Sequence, residues 1–140
     1  MYRRTASLAI ALLVLMAGEA FAAKEPPPPS EQYYSESPDV VYAATERVVL
    51  RYFRQVNGSP LAGVQVFRGS LSSLTCSGML FEATATIDPH GQSSRVQLEV
   101  RPIGAEGCAL VALKGGNGLR DKFARIFWSR LDALVTPRTP

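Results

Sequence analysis

The spacing of apolar residues along this chain changes several times, and each change marks an expected element. Ala6 to Gly18 are almost all apolar, preceded by Arg3 and Arg4 and followed by Ala20-Phe21-Ala22. A basic start, a short apolar run and a small-residue A-x-A site are the parts of a secretory leader. The run is far shorter than the roughly 20 residues that a membrane-spanning helix needs. Residues 1–22 are therefore expected to be a signal peptide, cleaved after Ala22, with a periplasmic or secreted product that does not span the membrane. Ala23 to Ser37 has no period and holds four consecutive prolines, Pro26 to Pro29. Such a stretch reads as a flexible, proline-rich tether over 23–37, stiffened by polyproline II structure.

Ser37-Pro38-Asp39 is a helix start, with a capping hydroxyl, proline at the first helical position and an acid in the first turn. Helical spacing then continues to about Val56. Val41, Tyr42, Thr45, Val48, Val49, Tyr52, Phe53 and Val56 fall within one arc of about 140°, with Arg47, Arg51 and Arg54 opposite. Asn57-Gly58 would stop this helix.

Period two follows. Val64 and Val66 share one face of a short strand, and Met79, Phe81, Ala83, Ala85 and Ile87 share one face of a longer one, with Glu82, Thr84 and Thr86 facing water. After a turn at Asp88-Pro89-His90-Gly91, Val96, Leu98 and Val100 point inward while Arg95, Gln97, Glu99 and Arg101 point outward. These two strands should form an antiparallel hairpin. Cys108 to Leu113, apolar at nearly every position, reads as a fourth, more central strand. From Leu119 to Val135 the helical period returns, with a narrow polar strip at Asp121, Lys122, Arg125, Ser129 and Asp132. The expected fold is a single α+β domain over 38–136: an antiparallel sheet of about four strands packed by an N-terminal and a C-terminal helix, in the order α-β-β-β-β-α, with a disordered tail at 137–140.

Composition adds limits. The product expected after cleavage has 118 residues, enough for one core. It carries thirteen Lys and Arg against eleven Asp and Glu, a net charge of +2 with the two signs scattered. No basic cluster interleaved with aromatic residues is present, which argues against nucleic acid as a partner. The lone His90, with Asp88 nearby, could be drawn as a base and its orienter, but no nucleophile accompanies them and both residues already serve a turn. No catalytic, cofactor-binding or metal-ligating constellation is expected, because the chain lacks the spacings that build one. The glycine-rich Gly115 to Gly118, beside Lys114 and Arg120, leads into a helix start but lacks the ending of a phosphate-binding loop.

Recognition is left to surfaces. The stripe Arg47, Arg51 and Arg54, together with Trp128 at the edge of the last helix's apolar arc, is the candidate interaction surface. These features describe a non-enzymatic accessory or structural module of a bacterial cell envelope, acting through contacts with another envelope or secreted protein. The broad apolar face of the last helix also suits a homo-oligomer. A small-ligand or anion-binding module, and an inhibitor of another secreted protein, are the alternatives.

Cys76 and Cys108 are the two cysteines, and in an exported chain they are expected to form a disulfide. In a sequential meander the strand starts that carry them would lie nearly 10 Å apart, against a limit of about 7 Å, so the expectation places them in loops that curl together. A bridge closing this loop contributes roughly 3 to 4 kcal/mol on the chain-entropy model. Under oxidising conditions Cys76→Ser should lower the melting temperature by as much as reductant lowers that of the unchanged protein. Equal melting with and without reductant would refute the bridge.

Overall fold

Alternation of period two is most regular between Met79 and Val100, and this stretch forms the centre of the sheet. A computed structural model describes residues 26–73, 76–106 and 117–140. Its elements are β1 (Glu31–Tyr34), α1 (Pro38–Tyr52), β2 (Arg54–Ser59), β3 (Val64–Ser73), β4 (Cys76–His90), β5 (Ser93–Glu106), α2 (Asn117–Asp132) and β6 (Pro137–Arg138). The strands make one antiparallel sheet in the order β2-β3-β4-β5-β1-β6. The helices pack on its inner face, where Phe67, Phe81, Ala83, Ala85, Val96 and Leu98 meet Val41, Val48, Val49, Phe123, Phe127 and Leu131.

The α+β class and the β4–β5 hairpin agree with the sequence reading, with Ile87 opposite Val96, Ala85 opposite Leu98 and Ala83 opposite Val100. The strand count and order do not. Among the described residues there are six strands, in the order β-α-β-β-β-β-α-β, and the expected strand from Cys108 to Leu113 lies outside them. The hairpin turn also lies later than expected: strand pairing continues to His90↔Ser93, and Gly91 supplies the positive φ of 62° that a tight turn favours.

Three of these strands, β1, β2 and β6, have no counterpart in the sequence reading, and β1 and β6 lie in the segments read as tether and tail. Within the tether, Tyr34 buries its ring completely, and its hydroxyl donates to Asp132 Oδ1 at 2.7 Å. Burial and this acceptor push the phenol well above its ordinary pKa, so it stays a donor. Glu31 to Tyr34 then pair with Gln97 to Ser94. Within the tail, Arg138 and Pro137 pair with Tyr33 and Tyr34.

Helix α1 ends earlier than its apolar arc suggests. Phe53 is extended, with φ of −133° and ψ of −173°, and its ring sits 5.0 Å from those of both Phe67 and Phe123. Packing of this ring outweighs the helical pattern, and residues 54–59 leave as strand β2, so Asn57-Gly58 lies in a strand and does not stop the helix. The close approach needs Gly69, where an added Cβ would stand 2.9 Å from Phe123 and 3.0 Å from Phe53. On β3 the inward residues are Gln65 and Phe67, while Val64 and Val66 face outward. Gln65 is accommodated because its amide donates to the Tyr42 hydroxyl at 2.7 Å and accepts from Gln55 at 2.9 Å.

The leader, Cys108 and the run to Leu113 lie outside the described residues. Strands β4 and β5 are direct neighbours, and their last described pair is Gly78↔Glu106, two residues from Cys76 and two from Cys108 in sequence. The residues flanking the cysteines are thus on adjacent strands, without the intervening strand that a sequential meander would place between them.

The Glu36 carboxylate clips the tail, accepting the Thr136 backbone N–H at 2.9 Å on either oxygen. Desolvation is the largest single influence and opposes ionisation, but the hydrogen bonds from Thr136 and from the Glu36 backbone together outweigh it and hold the carboxyl below its usual range. A depressed carboxylate pKa stabilises above the unfolded value, about 4.3, and this contribution is lost as pH falls through the folded value. Hydrogen-exchange protection of Thr136 and Arg138 should therefore fall on acidification below about pH 4.5. Glu36→Gln should lower that protection at neutral pH and flatten its pH dependence.

Candidate functional site

The buried side of α1 holds Val41, Tyr42, Ala44, Thr45, Val48 and Val49, which leaves Val40, Ala43, Arg47, Leu50 and Arg51 facing out. Tyr52 closes the helix beside the end of α2. There Arg130 lays its guanidinium over the Tyr52 ring, 4.3 Å from the centroid, and Arg51 approaches the same ring at 5.5 Å. After α2 the chain turns through Leu134 N–H donating to Leu131 O, which brings Leu134 to the same place. The result is a groove of about 390 Å³ between the two helices, lined by the apolar Val48, Leu50, Ala133 and Leu134, by Tyr52, and by Arg47, Arg51 and Arg130.

Charge is distributed unevenly over the molecule. On the outer sheet face Glu82 bridges Arg68 at 3.0 Å and Arg101 at 2.6 Å, and Asp88 pairs with Arg95 at 3.3 Å. The hydrogen bonds from Arg101 and Arg68 hold the Glu82 carboxyl below its usual range. None of Arg47, Arg51 or Arg130 has a carboxylate within salt-bridge distance among the described residues.

Of the residues singled out from sequence, Arg47 and Arg51 do come together here. Arg54 does not: it opens β2, opposite Arg68 on the outer sheet face. Trp128 does not either, being only 3% exposed, with its indole N–H donating to the Pro29 carbonyl at 2.8 Å. One helical turn earlier, Arg125 donates to the Pro26 carbonyl at 2.9 Å. Arg125 and Trp128 are three residues apart and so share one side of α2, and together they hold the carbonyls at the two ends of the proline run. The segment expected to be a free spacer is docked, and Trp128 is a fastener.

Sequence reasoning misses Arg130 and Leu134 as members of the site, and it does not bring Tyr52 together with them. Their meeting depends on contacts about eighty residues apart in sequence, and no local pattern announces it. Asp88 and His90 do not form a base and orienter, since Asp88 pairs with Arg95 and His90 sets its ring edge-on to Tyr33 at 4.8 Å. Among the described residues no three His, Cys, Asp or Glu side chains gather as metal ligands, and no helix is long and apolar enough to cross a membrane. Asn117 begins α2, and the glycines and Lys114 before it lie outside the described residues.

No family model and no curated protein matches this chain. A solved structure of TTHA0849 from Thermus thermophilus aligns with 74% of this chain and 94% of its own at 13% identity. Its TM-score of 0.36 is too low to carry an argument.

Removing the indole donor tests the fastener. Trp128→Phe should lower stability by about 0.5 to 1.5 kcal/mol, the net worth of one hydrogen bond. It should also speed proteolysis near residues 26–30. Unchanged proteolysis there would show that the proline run is held by something else.

Proposed function

We propose that this chain is an exported, non-enzymatic accessory module of a bacterial cell envelope that works by contacting another protein through the groove between α1 and α2. The export half of this reading rests on the sequence, with its basic start, short apolar run and A-x-A site. The contact half rests on one observation: an apolar, aromatic groove carries three arginines that the fold leaves without carboxylate partners among the described residues. Arginine and tyrosine around a desolvated apolar centre are the side chains that dominate protein interfaces.

The test places a photocrosslinking residue at Leu50 or Leu134 in the native host, with Thr84 on the outer sheet face as control. Adducts with a single protein should form from the groove positions and not from Thr84. No groove adduct, or the same adducts from Thr84, would overturn the contact. Amino-terminal sequencing of the mature material should begin at Ala23, and an intact Met1 on cytosolic material would overturn export. Arg51→Ala should leave stability within about 0.5 kcal/mol, so any loss of adduct formation in that variant reports on recognition.

A further inference from the structure

We propose that the groove receives an acidic amphipathic helix of the partner, with a carboxylate reaching Arg51 and Arg130 beside Tyr52; this rests on the protein-contact reading given above. Two guanidiniums lie within 5.5 Å of the centroid of a single ring, and Arg47 stands one turn before Arg51 on the same helix face. Like charges at that helical spacing repel one another. The ring quadrupole offsets part of this repulsion and holds the planar forks in place, while their donors stay open to an acceptor. An entering carboxylate would relieve the repulsion and make the charge-assisted hydrogen bonds that arginine favours.

The apolar walls define the rest of the ligand. Leu50 is 61% exposed, Leu134 44% and Tyr52 42%, so the carboxylate needs apolar neighbours on both sides. Both walls belong to helical segments or the turn just after one, so no sheet edge is open here to add a strand, and a helix laid in a groove is the fitting geometry. Apolar residues at i and i+3 or i+4 would fill the space between Leu50 and Leu134, and an Asp or Glu one turn away would reach the arginines. A bilayer surface fits less well. The groove is concave, and its three arginines fall short of the clusters of about 4–8 basic residues that mark an anionic-lipid site.

The experiment uses the full mature protein and three defined ligands. The first is a labelled helical peptide of about 18 residues with Leu at i, i+3, i+4 and i+7 and Glu beside them, together with its Glu→Gln counterpart. The others are phosphatidylglycerol vesicles and dodecanoate. The Glu peptide should bind, with affinity falling as salt rises. The Gln peptide, and the Arg51→Gln/Arg130→Gln double variant with the Glu peptide, should each bind at least about tenfold more weakly. Melting of the double variant should match the unchanged protein, which separates lost recognition from lost folding. Equal affinity for Glu and Gln peptides, indifference to the double substitution, or no peptide binding would overturn the proposal. Preference for vesicles or dodecanoate would overturn it in favour of a lipid ligand. Groove adducts that persist in the double variant in the host would leave the protein-contact reading standing while the acidic helix fails.

Discussion

The placing of both helices depends on an aromatic cluster on the inner face of the sheet. Phe67 projects from β3 and meets Phe53 at 5.0 Å, Phe127 at 5.4 Å and Phe123 at 6.0 Å, and Phe81 on β4 meets Phe123 at 5.6 Å. Such pairs contribute about 0.5–1.5 kcal/mol each beyond the burial of their area. Their position depends on the absence of a side chain at Gly69, since a methyl there would collide with two of the rings. Phe53 ends α1 and the other rings seat α2, so one cluster fixes where the two helices meet. The groove is a consequence of that meeting, because Tyr52 immediately precedes Phe53 and Arg130 follows Phe127 by three residues.

Polar groups inside this apolar layer define register. Gln65 is fully buried, yet it joins Gln55 on β2 to Tyr42 on α1, so the edge strand and the first helix are tied through one amide. Tyr34 does the same on the far side, joining β1 to Asp132 at the end of α2. Among the described residues no buried side-chain nitrogen or oxygen lacks a partner. Sliding β2 or β1 by one residue would reverse which side chains face inward and strand these groups without water, a cost of several kcal/mol in total. The short outer strands are therefore held in place by specific polar contacts as well as by ladder bonds.

This division explains what can be read from the sequence. The β4–β5 hairpin is legible because Met79, Phe81, Ala83, Ala85 and Ile87 alternate with polar residues, and one-sided burial imposes that alternation. The start of α1 is legible in Pro38 and Asp39, whereas the capping hydrogen bond expected from the Ser37 hydroxyl is not made. Strand β1 is hidden, since four residues in a proline- and serine-rich setting carry no period, and only the pairing with β5 and the burial of Tyr34 make them a strand. Strand β2 is obscured by a helical arc that Phe53 ends through long-range packing. The inward face of β3 is not legible, because the alternation of Val64 and Val66 marks the outer face, whereas the buried Gln65 amide is stabilised by partners remote in sequence. Half of the site is legible for the same reason: Arg47 and Arg51 share a helix face, but Arg130 joins them only through the fold.

The two faces of the sheet differ in how completely the protein satisfies itself, and this bears on where recognition falls. Across the outer face, the β4 carboxylates Glu82 and Asp88 pair with Arg68, Arg95 and Arg101 on β3 and β5, although such exposed pairs add little stability. A partner docking there would have to replace bonds already made. The helical face offers the reverse: cations with no carboxylate partner among the described residues, half-exposed leucines and an aromatic ring already holding two guanidiniums in place. Binding at that face forms interactions without first breaking internal ones, and the backbone around it is fixed by the core beneath. Preorganisation of this kind lowers the ordering cost of association. This is why the proposed contact is placed at the rim between α1 and α2 rather than on the wider sheet surface.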